Sequence, residues 1–270
     1  MVVEVKFLSS RKQFVMPLFK RNIFNQLIFV KRWIIRSLGT ALFFRFKFRY
    51  KRDIKGAELF QELRGQNVLF VSNHQTYFTD VSFFLLVMHS ALAGRPNKLS
   101  WWGYLNPRKH NIYYIAAEET MKSGFIPKMM ALSGAVTVQR TWRANGQNVR
   151  RKVSKKDTSN IEKALKDGWV ITFPQGTTSP YAQGRIGTAI MIKQQQPIVV
   201  PIVIDGFRRA FDKKGLKMKK KNVTLQMHVK KPLDIDYSAP VEQILGQVMD
   251  AIHQSPEHDY MGKIKKEETV

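Results

Sequence analysis

The sequence predicts an α/β protein, a mixed, mostly parallel sheet flanked by helices and preceded by a basic, amphipathic N-terminal helical segment. Three features carry this expectation. Short apolar runs bounded by turn-forming residues alternate with stretches of helical pattern, the ordering that builds an α/β sandwich. A hydrophobic content of 44% in 270 residues is enough for a substantial buried core. Positive charge also gathers at the N-terminus, where 14 Lys and Arg residues up to Lys55 face only Glu4 and Asp53. The expected division is residues 1–55 as basic, membrane-contacting helices and residues 56–270 as a single α/β domain.

Taken in order, the N-terminal segment interleaves its bases with Phe14, Leu18, Phe19, Phe24, Leu27, Trp33, Ile34 and Phe43 at a spacing closer to helix than to strand. Asn67–Ser72 is a short apolar strand that stops at the polar cluster Asn73-His74-Gln75-Thr76. Val81–Met88 continues into Ser90–Gly94 as a buried helix with a glycine stop. Ile112–Ala116 is the next strand, and Lys122–Ser133 a helix and loop. Gly134–Gln139 alternates small and apolar residues, so a strand delivers Arg140 to its carboxyl end. Ser159 or Asn160 caps a helix through Ile161, Ala164 and Leu165, which Asp167-Gly168 closes. Trp169–Phe173 is a buried strand broken by Pro174, and Ile198–Ile204 is another interior run, in which Pro201 predicts an irregularity or a sheet edge. Asn222–Val229 alternates as a strand, Val241–His253 is an amphipathic helix, and Lys263–Val270 is a frayed end.

A net charge of +25 demands an anionic partner or surface. A basic, aromatic-bearing helical segment suits an anionic membrane, where each Lys or Arg near the leaflet adds about 1 kcal/mol and inserted rings add an apolar term. A nucleic-acid partner is open on charge alone. Two further clusters, Arg150 to Lys156 and Arg208 to Lys221, read as basic loops suited to lipid or acyl-carrier phosphates. With no cysteine, thiolate nucleophiles, disulfides and thiolate metal sites are excluded. No apolar stretch approaches the roughly 20 residues of a spanning helix. Bases interrupt every apolar run of the N-terminus, against a secretory signal, so the expected place is the cytoplasmic face of the cell membrane, held peripherally.

In an open α/β sheet, ligands gather at the carboxyl ends of strands. Three such ends carry polar groups here: Asn73-His74, Arg140, and Gln175-Gly176-Thr177-Thr178. Asp80 is the nearest carboxylate to His74 in sequence, and a His–Asp pair is a general base for abstracting a hydroxyl proton. Equally, His74 caps a helix and Asp80 is a first-turn acid favoured by the helix dipole.

The ordered set Asn73-His74…Asp80, Gly134–Arg140, Phe173-Pro174-Gln175-Gly176-Thr177-Thr178-Ser179 and Val200-Pro201-Ile202 resembles the glycerolipid and lysophospholipid acyltransferase family over about residues 67–204. The resemblance implies transfer of an acyl chain from acyl-CoA or acyl carrier protein to a lysolipid hydroxyl, most simply that of 1-acylglycerol-3-phosphate, giving phosphatidic acid. By motif match His74 is the general base and Asp80 its partner. Arg140 binds the acceptor phosphate, and Asn73, Gln175, Gly176, Thr177 and Thr178 complete the acceptor site. The co-substrate is acyl-CoA or acyl carrier protein, with no other cofactor and no metal, and the partners are anionic membrane lipids and the lysolipid acceptor, with no nucleic acid.

Three departures bear on that picture. Five residues separate His74 from Asp80 where the family has four, Gln175 stands for a glutamate, and Thr178 stands for an arginine. They keep open an acceptor with another headgroup, such as an amino-acid lipid, and a catalytically inactive relative that binds anionic membranes or nucleic acid.

Overall fold

A computed structural model describes residues 21–259 apart from 106–110, 123, 140–142, 145–146 and 149–153. Its elements in order are α1 (Ile28–Arg49), β1 (Lys51–Lys55), α2 (Leu59–Glu62), β2 (Val68–Ser72), α3 (Thr79–Leu92), α4 (Trp101–Leu105), β3 (Ile112–Ala117), α5 (Glu118–Lys122), α6 (Phe125–Leu132), β4 (Ala135–Val138), β5 (Arg143–Ala144), β6 (Gln147–Asn148), α7 (Lys155–Asp167), β7 (Trp169–Thr172), α8 (Ile186–Gln195), β8 (Ile198–Asp205), α9 (Phe207–Ala210), β9 (Thr224–Val229) and α10 (Val241–Ala251).

Seven strands form one sheet in the order β1-β9-β8-β2-β7-β3-β4, and every neighbouring pair is parallel except β8 with β9. The alternation along β2 explains its unbroken apolar run. Val68 and Phe70 join the core on one face with Trp169, Phe83 and Phe46, while Leu69 and Val71 join the other with Val170, Val199, Leu165 and Ile192. A strand covered on both faces has no polar side to show. The first face is covered by α1 and α3, and the second by α7, α8 and α10. Every residue of α3 is buried, which is why its sequence is apolar all round rather than amphipathic.

The N-terminal helix is part of this core. Ile34, Phe43 and Phe46 of α1 are buried, and α1 packs on α3, α4 and α6. At about 1.5–3 kcal/mol for each large apolar side chain removed from water, these three alone hold the helix firmly. Lys31 on the same face is buried, with its ammonium donating to Ile112 O at 3.3 Å and lying 4.7 Å from the centre of the Tyr113 ring. The outward side of α1 is also aromatic, with Phe29, Trp33, Phe44 and Phe48 exposed.

Three expectations about the elements are corrected. Helical structure ends at Arg49, and Lys51–Lys55 is the edge strand β1, whose exposed bases hide its period; charged side chains are how an edge strand resists pairing with another chain. Helix α7 begins at Lys155, so Ser159 and Asn160 lie inside it. Its first turn is wholly polar, with Asp157 placed favourably at the positive end of the helix dipole, and the apolar pattern starts a turn late. Pro201 sits in β8 within the interior of the sheet, not at an edge. It is tolerated because the ladder to β9 begins at Ile202, while the Pro201 carbonyl still accepts from Lys230 N at 2.9 Å.

Candidate active site

The parallel register sets Val71 beside Thr172 and Ser72 beside Ile202, so β2 and β7 end within one residue of each other at their carboxyl edge, and β8 runs on to Asp205 beside the segment that follows β2. The segments that leave these three strands therefore meet in one place. After β2 comes Asn73-His74-Gln75, after β7 Phe173-Pro174-Gln175, and β8 ends at Asp205 before the turn at Gly206.

His74 and Asp80 are brought together: the imidazole Nδ1 lies 3.0 Å from Asp80 Oδ2. Asp80 is fully buried at the start of α3, yet its carboxylate is well supplied with donors. Its Oδ2 also accepts from Gln75 N at 2.6 Å and Thr76 N at 2.9 Å, and its Oδ1 accepts from the Thr76 hydroxyl at 2.6 Å. A buried carboxylate is tolerable only when compensated in this way. With Nδ1–H donated to Asp80, the lone pair of His74 is on Nε2, at the far side of the ring. Phe173, the residue after β7, stacks on the imidazole at a centroid distance of 3.9 Å and 19° between planes, and so fixes the ring's orientation.

The five residues between His74 and Asp80 are held by a second loop. Tyr77 N donates to Lys213 O at 3.0 Å, Phe78 N to Lys214 O at 3.2 Å, and the Thr79 hydroxyl to Gly215 O. Gly215 has φ +80, and a Cβ there would collide with the Thr79 hydroxyl, so only glycine allows this close approach. The segment Lys213–Gly215 belongs to the basic cluster read as a loop from the sequence, and it is in contact with the dyad segment itself.

The remaining sequence-predicted residues divide by what their side chains touch. Asn73 is buried, its amide donating to Ile204 O and accepting from Ile204 N, both at 2.8 Å, which straps β2 to β8. Gln175 is also buried, and its amide N–H groups are directed to Ala182 O at 3.0 Å and to the side chain of Gln254 at 3.1 Å. These bonds tie the end of β2 to β8 and the loop after β7 to Gln254. Gly176 turns the loop with φ +62, Thr177 is half-buried with its hydroxyl near that of Ser179, and Thr178 is buried. Arg140 lies outside the described residues, as does the part of the first basic loop from Arg150 to Lys152. Among the described residues, no group of three or more His, Asp or Glu side chains is arranged to hold a metal ion.

The structure adds Gln75, Thr76, Phe173 and Arg208 to the residues that the sequence assigns to the site. The register would have found Phe173, since it follows the residue level with Val71 and so flanks the end of β2. Gln75 lies in the polar cluster and Arg208 in the basic cluster that the sequence singles out, but their pairing, which joins residues 133 positions apart, has no local signal.

Residues of α1, α3, α4 and α6 line a small apolar pocket that is open on one side, among them Ile34, Leu38, Leu42, Leu85, Leu86 and Met130. Trp101 and Trp102 on α4 and Phe125 on α6 are exposed, as are the outward aromatics of α1, against which both of these short helices pack.

A family model described as Acyltransferase matches residues 51–205. The solved structure of PlsC, the 1-acyl-sn-glycerophosphate (LPA) acyltransferase of Thermotoga maritima, has the same fold, with a TM-score of 0.51 over 82% of this chain and 76% of that one, at 17% identity. Comparison with curated proteins returns no match.

Proposed function

Because the chain belongs to the acyltransferase family, we propose that it moves an acyl chain from acyl-CoA or acyl carrier protein to the free hydroxyl of a lysolipid, with 1-acylglycerol-3-phosphate as acceptor and phosphatidic acid as product. The observation that carries this reading is the His74–Asp80 pair at the carboxyl edge of the sheet, with Nδ1 committed to a buried carboxylate and Nε2 left for substrate.

His74 Nε2 takes the proton of the acceptor hydroxyl as that oxygen attacks the thioester carbonyl. Asp80 holds the ring and stabilises the imidazolium. The tetrahedral intermediate collapses by breaking the carbon–sulfur bond, and the imidazolium returns its proton to the departing thiolate. No acyl-enzyme forms on this route, in keeping with a chain that has no cysteine. Backbone N–H groups of the turn around Gly176 stabilise the oxyanion. The acceptor lies against Gly176, Thr177 and Thr178 with Arg140 at its phosphate, while Asn73 straps β2 to β8 and Gln175 braces the loop after β7.

The enzyme works at an anionic bilayer, on its cytoplasmic face. Support comes from the +25 net charge and from exposed aromatics carried by three helices that pack on one another through α1. No helix among the described residues is long and apolar enough to cross a membrane, so the contact proposed is peripheral.

The test is transfer of labelled acyl chain from acyl-CoA and from acyl carrier protein to a panel of lysolipids on anionic vesicles, with wild type and His74→Ala side by side. Transfer to lysophosphatidate that His74→Ala abolishes is the expected result. Transfer confined to a lysolipid without a phosphate, such as an amino-acid lipid, reassigns the acceptor, and equal rates for the two proteins remove His74 from the mechanism.

A further inference from the structure

The turn after β8 presents a second charged group to the dyad's surroundings. Gly206, with φ +90, reverses the chain where a Cβ would collide with Thr224 O. In the short helix α9 beyond it, Phe207 and Ala210 are buried in the core, which leaves Arg208 and Arg209 facing outward. The two arginines then part. Arg209 is exposed and paired with Asp205 at 2.8 Å. Arg208 is half-buried, and among the described residues no carboxylate lies within 4.0 Å of it.

Its position is fixed from two sides. The backbone N–H of Arg208 donates to Gln75 Oε1 at 3.0 Å, and the Gln75 amide in turn donates to Ile204 O and to Asp205 Oδ1, each at 3.2 Å. Gln75 is the residue next to His74. At the other end, Arg208 Nη2 donates to Thr178 O at 2.5 Å. Arg208 thus links the dyad segment, through its backbone, to the loop after β7, through its guanidinium, and position 178 itself supplies no cation. A guanidinium has five N–H donors in a rigid fork matched to the oxygens of a phosphate, and among the described residues one protein acceptor, Thr178 O, meets that fork. The nearby loop adds positive charge, with Lys219 Nζ 3.3 Å from Arg208 O. A half-buried cation with spare donors, among bases and tied through Gln75 to the segment of the general base, is a place for an anion.

We propose that Arg208 makes a contact to the phosphate monoester of the acceptor additional to the one assigned above to Arg140, and so helps to set the headgroup this enzyme accepts. The inference rests on the acceptor reading given above. When the phosphate docks on the guanidinium at the Thr178 loop, the acceptor is held at the same edge of the sheet that carries His74. Arg208 is thereby a specificity-determining residue, and His74 remains the base.

The experiment measures acyl transfer on anionic vesicles by wild type, Arg208→Gln and Arg208→Lys, varying lysophosphatidate at saturating donor and then donor at saturating lysophosphatidate. Loss of charge-assisted hydrogen bonds to a phosphate is expected to raise the acceptor KM roughly 10- to 100-fold in Arg208→Gln. The donor KM is expected to stay within about twofold, and Arg208→Lys to recover part of the loss because it keeps charge without the fork. Glycerol 3-phosphate added as competitor is expected to inhibit wild type more strongly than Arg208→Gln. An unchanged acceptor KM in Arg208→Gln overturns the proposal and leaves the acceptor reading intact. So does a fall in kcat with both KM values unchanged, which marks the arginine as a brace for the Thr178 loop. If wild type transfers only to lysolipids without a phosphate, or to none, the acceptor reading fails first and this proposal fails with it.

Discussion

Replacing Lys31 with methionine is expected to stabilise the protein at pH 7 and to remove a specific part of its pH dependence. Burial lowers the pKa of Lys31 from 10.5 to about 8, against a smaller opposing pull from Asp167. At about 1.4 kcal/mol for each tenfold change in proton affinity, the buried ammonium opposes folding by about 3 kcal/mol at neutral pH. Methionine keeps most of the apolar stem but gives up the hydrogen bond to Ile112 O and the contact with the Tyr113 ring, together about 1–2 kcal/mol. A net gain of about 1–2 kcal/mol is left at pH 7. The sign with pH is set by proton counts. Below about 8 both folded and unfolded chains hold the Lys31 proton, and its contribution is flat. Between about 8 and 10.5 the unfolded chain keeps a proton that the folded one releases, so wild-type stability rises with pH through this side chain. Urea unfolding of both proteins at pH 7, 8.5 and 10, followed by tryptophan fluorescence, reads the difference directly, because other titrating groups cancel between them. The advantage of Lys31→Met should shrink as pH rises. A variant less stable than wild type at pH 7, with a gap that does not move with pH, would refute the reasoning.

Two further outcomes concern the site. Thr76→Val removes the hydroxyl donated to Asp80 Oδ1 while keeping its shape. It should lower stability by about 1.5–3 kcal/mol, the range for a hydrogen bond to a charged group, and lower kcat with the acceptor KM little changed; steady-state kinetics beside thermal melts check both. Gln254→Ala deprives the Gln175 amide and Tyr181 N of a shared acceptor, at 3.1 and 3.0 Å. Faster hydrogen exchange confined to the loop from Gly176 to Tyr181, with a stability loss of about 1 kcal/mol, is expected, and unchanged exchange there would show that the loop is held without this clamp.

The interior strands were legible because burial on both faces leaves an apolar run that needs no interpretation, as in Val68–Val71 and Trp169–Ile171. Elements whose apolar period is diluted by charge were not. β1 offers one buried apolar residue, Ile54, among bases, and the first turn of α7 is entirely polar. The same contrast runs through the site. His74 and Asp80 stand close in sequence, and their meeting at 3.0 Å needs only a turn into α3. The stack of Phe173 on His74, the strap from Asn73 to Ile204 and the link from Gln75 to Arg208 depend on strand order and register, which one chain's local pattern does not encode. The partners of buried Asn73 and Gln175, Ile204 and the Ala182 and Gln254 groups, were equally out of reach of local pattern.

The way the loop at Lys213–Gly215 receives Tyr77, Phe78 and Thr79 bears on how this protein can be altered. The length of the His–Asp segment and the shape of a loop more than 130 residues later form one unit, because the donors of one end on carbonyls of the other. Shortening either alone would strand two backbone N–H groups beside a fully buried carboxylate. A chimaera that carries residues 74–80 into another scaffold must therefore take residues 212–218 with it, and deletions along the chain are tolerated here only in matched pairs.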